Sequence, residues 1–305
     1  MEGVCGVFGF LNVAKPVGKT SRSVVSRVQS LLKPVKVGHT GTLDPLAAGV
    51  LVLAIGPATR LAKYLLHHSK HYEGDFRLGC FSNTDDLEGE LEYVDSPPVV
   101  TRDQLVGALE KFTGPIEQRP PAYSAIKVNG QRAYRLARRG EEVELPARTV
   151  TIYDIELLKY DYPNFKLAIH CSGGTYIRAL GRDLGAFLGS AAVMTGLSRT
   201  GVGDFCLNGA LPMEMLDVNS IANSLRSPLD VLPDIPKVVL DPLVVQQLLN
   251  GVMVELDHSA DLVAGLDAEQ RLMALLVRKS GSLFCPKTNF SHYWYERGHQ
   301  SMESS

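Results

Sequence analysis

The strongest constraint on the fold is a short apolar run that follows a loop rich in glycine, threonine and proline. The loop spans residues 38–49, and the run extends from Val50 to Ile55. Six apolar residues are far too few to cross a membrane, so the run indicates a buried strand. A helical pattern precedes it over Ser21–Leu32, and an alternating strand pattern follows over Tyr72–Cys80. Because strands and helices mix without strict β-α-β alternation, we predict an α+β fold.

The chain is long enough for about two domains, with 305 residues. Three prolines within residues 228–236 separate apolar clusters and indicate a linker. Beyond it, short strand-like runs over residues 236–290 predict a small β domain. Residues 291–305 form a polar tail, and residues 1–235 form the first domain, with a basic insertion at about 115–148.

The net charge of −2 conceals a strong segregation of charge along the chain. Residues 1–72 contain nine basic and two acidic residues, whereas residues 204–270 contain two basic and eleven acidic residues. The total argues against a nucleic-acid partner, but the segregation is compatible with a basic face and an acidic far side. The alternative is that these segments interleave in space and their fields cancel.

Cysteine usage and the N-terminus both predict a cytoplasmic protein. The five cysteines lie far apart, without a C-x-x-C pair, which disfavours a disulfide framework or a zinc ribbon. The first residues, Met1-Glu2-Gly3, lack the basic start of a signal peptide. No membrane association is expected.

Three segments resemble known functional motifs, but in each the residues or the spacing that the motif requires are missing. Gly18-Lys19-Thr20 resembles the end of a P-loop, but Val13 stands where that motif needs glycine. The histidines at positions 67, 68 and 71 lack further local ligands, so we interpret them as a solvated helix end. The acidic segment 85–89 lacks calcium-loop spacing, and we predict a solvated turn there.

The loop before the apolar run is the best candidate for a reactive site. Asp44 is the only acidic residue between Glu2 and Glu73, and Pro45 restrains the backbone that follows it. A lone carboxyl among cations should stay ionised, which suits a nucleophile or a base. The alternative from these residues alone is a carboxylate that caps a turn, with His39 packed locally.

Five motifs in order resemble those of the TruB family of pseudouridine synthases. The central one is Gly38-His39-Thr40-Gly41-Thr42-Leu43-Asp44-Pro45. The others are Lys15-Pro16-Val17-Gly18-Lys19-Thr20-Ser21, Lys70-His71-Tyr72, Pro120-Pro121-Ala122-Tyr123-Ser124-Ala125-Ile126-Lys127-Val128-Asn129-Gly130 and Gly174-Thr175-Tyr176-Ile177-Arg178. Residues 236–290 resemble, more weakly, the small PUA RNA-binding domain that often follows this catalytic domain.

The resemblance implies a fold and a site. The fold would be a catalytic α+β domain on a mixed, largely antiparallel sheet, followed by a PUA-like barrel. Asp44 would be the catalytic aspartate, paired with Arg178, and Tyr72 would stack on a flipped uracil. Tyr176 and Leu197 would line the pocket, and His39 would contact the substrate loop. Ala14 and Ser198 depart from residues common in the family, which puts minor RNA contacts in doubt.

RNA contacts and other partners follow from the same resemblance. Basic residues that could bind the RNA backbone are Lys15, Lys127, Arg132, Arg139 and Arg148. The alternative for the cations around Arg139 is a solvated helix face. The expected partner is the T arm of tRNA, without a required protein partner, and we expect a monomer. The isomerisation needs neither a cofactor nor a metal, because its atoms and electrons balance.

The sequence therefore predicts a tRNA pseudouridine synthase that flips and isomerises uridine 55 of the T arm. Whether Asp44 attacks the ribose, attacks the ring or removes a ribose proton stays open at this point. One alternative is a relative that acts on ribosomal RNA with a guide RNA. Another is a non-catalytic RNA-binding or RNA-folding protein, which would have no use for the Asp44 carboxylate.

Overall fold

A computed structural model describes residues 7–124, 126–128, 130–141 and 143–296. Two motif positions, Ala125 and Asn129, and the last nine residues of the predicted tail lie outside the described residues. Within the described part of the chain, no helix is both long enough and apolar enough to cross a membrane.

Most strands belong to the first domain. In chain order they are β1 Gly9–Lys15, β2 Val37–His39, β3 Ala47–Ile55, β4 Lys70–Leu78, β5 Cys80–Ser82, β6 Leu91–Tyr93, β7 Gly114–Gln118, β8 Lys127–Val128, β9 Gln131–Arg132, β10 Arg148–Asp161, β11 Asn164–Cys171, β12 Ala192–Val202, β13 Phe205–Cys206, β14 Leu211–Pro212 and β15 Leu225–Arg226. The C-terminal strands are β16 Lys237–Val239, β17 Val254–Glu255, β18 Leu262–Leu266, β19 Leu272–Ser280 and β20 Leu283–Asn289.

The helices are short and mostly lie beside the large sheet. They are α1 Ser21–Leu31, α2 Ala62–Leu66, α3 Arg102–Lys111, α4 Ala133–Ala137, α5 Ile177–Phe187, α6 Val218–Asn223 and α7 Pro242–Leu249. The hydroxyl of Thr20 caps α1, and Thr101 and Gln104 form the predicted capping box of α3.

The large sheet is mixed and largely antiparallel, as the resemblance implies. Its order is β14-β1-β3-β12-β4-β11-β10-β7, with β2, β13 and β15 paired at its margins. The pairs β3–β12 and β1–β14 are parallel, and the other neighbours are antiparallel. The sheet therefore joins β3, which follows the Asp44 loop, directly to β12 and then to β4.

Both faces of β3 are covered, which explains its continuous apolar sequence. Leu51 and Leu53 pack on α1, in a core cluster with Val24 and Val28. Val50 and Val52 point the other way, into a cluster that includes apolar residues of the C-terminal sheet.

The C-terminal domain is a five-stranded sheet in the order β16-β18-β19-β20-β17, curled as the PUA resemblance implies. It shares a core with the first domain, because Ala264, Leu266 and Leu275 pack in the same cluster as Phe8 and Phe10. The large sheet and this small sheet are therefore held together by apolar contact.

The predicted polar tail was wrong at its start. Residues 291–296 are helical, and Tyr293 and Trp294 pack against the shared core. The two aromatic rings also contact Phe8. Because these rings bury apolar surface, the folded domain extends past residue 290.

Candidate active site

One cavity of about 320 Å³ brings together most of the residues that the motifs single out. The residues that form its wall come from segments distributed between Gly41 and Arg199 along the chain. The predicted residues in this wall are Asp44, Tyr72, Arg148, Tyr176, Arg178 and Leu197. The cavity also contains residues to which the sequence assigned no role in a site: Lys70, Tyr123, Ser124 and Arg199.

Arg178 holds the Asp44 carboxylate from the first turn of α5. Its Nε lies 3.0 Å from an Asp44 oxygen, and the Arg178 side chain is only 6% exposed. Its remaining N–H groups donate to the carbonyl oxygens of Thr84 at 2.7 Å and Tyr123 at 3.2 Å. The predicted pair is therefore present, and the planar guanidinium fixes it between three other chain segments.

A second carboxylate faces the same guanidinium. Asp86 lies 3.4 Å from Nη1 of Arg178, and its side chain is 2% exposed. The hydroxyl of Thr84 and the backbone N–H of Glu88 donate to Asp86 at 2.7 and 3.0 Å. The prediction of a solvated turn over residues 85–89 was therefore wrong at Asp86. A turn-like composition predicts exposure to solvent, but Asp86 is buried here because it pairs with the buried Arg178 of α5.

Burial raises the pKa of the Asp44 carboxyl above its ordinary value, and the nearby Asp86 adds to the rise. The Arg178 and Lys15 charges and the hydrogen bond from Arg178 oppose it. Asp44 therefore differs from the expectation of a carboxyl simply surrounded by cations. Its charge costs desolvation, and Arg178 offsets part of that cost.

The Lys15–Ser21 motif holds the Asp44 loop in place. Ser21 Oγ both accepts from the Leu43 N–H and donates to the Leu43 carbonyl, at 2.8 and 3.0 Å. The N–H of Gly18 donates to the Pro45 carbonyl at 2.8 Å. The backbone of the residues on both sides of Asp44, Leu43 and Pro45, is thus fixed, which aims the Asp44 carboxylate at Arg178.

Lys15 does not offer its charge to RNA. It is 1% exposed, and its ammonium donates to the carbonyls of Pro16 and Lys19. Burial lowers the pKa of Lys15 to about 8. The predicted phosphate contact is wrong for this residue, because the ammonium closes the loop of its own motif.

Tyr72 and Arg199 line the cavity from neighbouring strands of the large sheet, β4 and β12. Tyr72 is buried on β4, and its hydroxyl bonds to the Arg199 side chain. Arg199 on β12 is 2% exposed and donates to the carbonyls of Val50 and Gly41. A side chain at Gly49 would collide with the Arg199 backbone, so only glycine lets β3 approach β12 here. Alternation with Leu197 along β12 was the signal that could have placed Arg199 in the site.

Tyr176 stands at the N-terminus of α5 and closes the cavity beside Arg148. The Arg148 guanidinium lies 5.0 Å from the centre of the Tyr176 ring, and it donates to the Gly174 carbonyl. Gln118, fully buried, accepts from the Tyr176 N–H at 2.8 Å and donates to its carbonyl at 3.0 Å. Arg148 is therefore a cavity residue, whereas the sequence predicted a contact with the RNA backbone.

The other predicted residues lie outside the cavity wall. His39 is on β2, and its Nδ1 is buried without a hydrogen-bond partner in the described part of the chain. Burial and the charges of Arg199 and Arg22 lower the pKa of His39. Lys127, Arg132 and Arg139 are exposed on the insertion, where Arg139 lies 3.9 Å from Glu141. Among the described residues, no three metal-binding side chains come together.

A family model for the TruB family pseudouridylate synthase N-terminal domain matches residues 29–177. The chain is 42% identical to a tRNA pseudouridine synthase B of Rhodopirellula baltica, over 81% of this chain and 75% of the relative. The chain belongs to the TruB family of pseudouridine synthases. A second TruB relative, the tRNA pseudouridine synthase B of Dehalococcoides mccartyi, is 38% identical over 92% of this chain and 96% of its own.

Solved structures support the TruB fold over both domains. The chain is similar to one chain of a Cbf5-Nop10-Gar1 complex, with a TM-score of 0.70 and 25% identity. That likeness covers 93% of this chain and 85% of the other. A chain of an H/ACA RNP bound to a substrate RNA gives a TM-score of 0.69 at 24% identity. The predicted pairing of a catalytic fold with a PUA-like sheet is confirmed.

Proposed function

We propose that this chain converts uridine 55 in the T arm of tRNA to pseudouridine. The observation that carries the proposal is the Asp44 carboxylate, held by Arg178 in the wall of a cavity that Tyr72 and Leu197 also line. The relatives at about 40% identity are tRNA pseudouridine synthases, and they match most of the chain.

Uridine must leave the RNA stack before its glycosidic bond can be reached. Tyr72, Tyr176 and Leu197 line the cavity, and an extruded base would stack on one of the two aromatic rings. Leu197 lies on β12, between β3 and β4. Stacking on an aromatic ring replaces part of the stacking that the base loses in RNA. The aromatic and apolar lining thus favours the binding of a planar base by stacking.

The reaction breaks the bond between N1 of uracil and C1′ of ribose and forms a bond between C5 and C1′. The C5 hydrogen leaves as a proton, and N1 gains a proton, so neither an oxidant nor a reductant is consumed. Asp44 supplies a carboxylate fixed beside the bound nucleotide, and Arg178 orients it and stabilises its charge.

The exposed cations of the insertion would bind the RNA backbone. Lys127, Arg132 and Arg139 lie on the insertion that contributes Tyr123 and Ser124 to the cavity. Phosphate contacts there would position the T arm so that its loop reaches Asp44. The proposed enzyme is a monomer that needs neither a guide RNA nor a protein partner.

Tritium release tests the proposal. A tRNA transcript labelled with tritium at C5 of uracil is incubated with purified protein, without guide RNA or added metal. A transcript with cytidine at position 55 is the control. We expect the wild-type protein to release the label only from the transcript with uridine 55. No release here, with release in a parallel reaction that contains a guide RNA, would favour the ribosomal alternative. Binding of the transcript without release in either reaction would favour a non-catalytic RNA-binding protein.

A further inference from the structure

Helix α5 presents a second arginine one turn after Arg178, and this residue holds two loops of the cavity together. The three side-chain nitrogens of Arg182 reach three acceptors. Nη1 donates to Asp85 at 2.8 Å, Nη2 to the Arg119 carbonyl at 2.8 Å and Nε to Asp183 at 2.9 Å. We propose that Arg182 is a positioning residue that fixes the entry of the insertion, residues 118–124, against α5 and the acidic loop. The inference rests on the proposed function.

In the acidic loop, residues 85–89, two consecutive aspartates pair with two arginines that lie one turn apart on α5. Asp85 pairs with Arg182, and the next residue, Asp86, pairs with Arg178. Asp85 has a φ of 61°, in the left-handed region, which aspartate adopts more often than most residues other than glycine but still at an energetic cost. Its carbonyl accepts from the N–H of Met194 on β12. A backbone held in this uncommon conformation needs partners on several sides, and Arg182 is one of them.

The insertion entry is anchored to α5 at three successive points. Gln118 bonds to both backbone groups of Tyr176, the Arg119 carbonyl accepts from Arg182, and the Tyr123 carbonyl accepts from Arg178. Tyr123 and Ser124 at the end of this segment line the cavity. Because Arg182 does not line the cavity, it acts through the segment it holds.

Loss of the Arg182 contacts should weaken substrate binding more than chemistry, since the Arg178 contacts with Asp44, Asp86 and Thr84 do not involve Arg182 or residues 118–124. We expect Arg182→Met to raise KM for the tRNA transcript about tenfold, the size of one lost charge-assisted hydrogen bond, and to lower kcat by less than about threefold. Hydrogen–deuterium exchange should become faster at residues 118–124. Arg182→Lys, which keeps the charge that faces Asp85, should restore part of the affinity.

Arg226→Met is a matched control. Arg226 binds one carboxylate, Asp230 at 2.8 Å, and one carbonyl, whereas Arg182 binds two carboxylates and one carbonyl. The two side chains are similarly exposed, 37% for Arg226 and 32% for Arg182. Arg226 lies outside the cavity wall, so its loss should leave KM and the exchange of residues 118–124 unchanged.

An active wild-type protein whose KM and exchange do not respond to Arg182→Met would overturn the inference. Equal effects of Arg182→Met and Arg226→Met on KM and exchange would overturn it as well. An inactive wild-type protein would instead contradict the proposed function. If Arg182→Met unfolds, the comparison of KM between Arg182→Lys and the wild type decides, and an unchanged KM in Arg182→Lys would count against the inference.

Discussion

Two arginines, one in each domain, bind two carboxylates apiece but do so in different surroundings. Arg178 in the cavity is 6% exposed, and its partners Asp44 and Asp86 come from distant segments. Arg271 in the C-terminal domain is 44% exposed, and its partners Asp267 and Glu269 lie four and two residues away.

Although each arginine forms two ion pairs, the two residues play different structural roles. Arg271 closes the turn between β18 and β19 and lies over the Trp294 ring, so its contacts are local and partly solvated. Arg178 joins α5 to three other segments, and its guanidinium and the Asp86 carboxylate are almost fully buried, while 37% of the Asp44 side chain is exposed. A buried charge that loses its partner is costly. The C-terminal domain therefore uses its arginine for local structure, whereas the cavity uses one to hold the Asp44 carboxylate against distant segments of the chain.

The largest effect is expected at Asp44. Asp44→Asn keeps the shape of the side chain but removes its charge, so we expect turnover to fall roughly 10³-fold or more. RNA affinity should stay within about threefold of wild type, since the phosphate contacts are untouched. Tritium release and filter binding measure the two quantities. Undiminished turnover would show that the catalytic assignment is wrong.

The comparison of the two arginines predicts a second, smaller effect. Arg178→Met removes the cation that pairs with both Asp44 and Asp86 and leaves the buried Asp86 carboxylate without its ion pair, so we expect a loss of about 3–5 kcal/mol in the free energy of unfolding. Arg271→Met removes a partly exposed pair and should cost about 0–1 kcal/mol. Urea unfolding of both variants measures the difference. Equal losses would mean that the burial of Arg178 has no energetic consequence.

The sequence predicted those parts of the molecule that depend on local patterns. Helix α1, the capping box of α3 and the buried strand β3 follow from spacing and capping residues within about ten positions. The motif resemblance also placed Asp44 and Arg178 together, and the structure confirms their contact.

The missed residues share a different physical cause. Asp86 and Lys15 carry charges that normally indicate solvent, yet each is buried. Arg178, 92 positions away, holds Asp86, and carbonyls within its own motif hold Lys15. A local sequence pattern does not show whether a charged side chain will be buried against a distant arginine or against the carbonyls of a nearby turn. Composition therefore misplaced both residues: Asp86 pairs with the buried Arg178 guanidinium, and the Lys15 ammonium donates to carbonyls of its own motif instead of facing solvent.

The buried Lys70 in the cavity should make the free energy of unfolding depend on pH. Lys70 lines the cavity, and burial lowers its pKa to about 8 from 10.5. Between these values the unfolded chain binds more protons than the folded one, so this group makes stability rise with pH. We expect its contribution to grow by about 1 kcal/mol between pH 8 and 9. Urea unfolding at both pH values should show this gain in the wild type relative to Lys70→Met, and identical pH profiles would contradict the burial of the charge.

The smallest effect concerns the exposed cations of the two domains. Arg139 lies on the insertion near the cavity, whereas Lys279 lies at the end of β19 in the C-terminal sheet. If the insertion binds phosphates, Arg139→Ala should weaken tRNA binding about threefold and reduce the slope of log K against log salt by about 0.9. Lys279→Ala should change neither quantity if the acidic C-terminal domain contributes little to binding. Affinity titrations from about 50 to 200 mM salt, the range over which phosphate contacts dominate, compare the two variants. A larger change of slope in Lys279→Ala would reverse the assignment and place the main RNA contact on the C-terminal sheet.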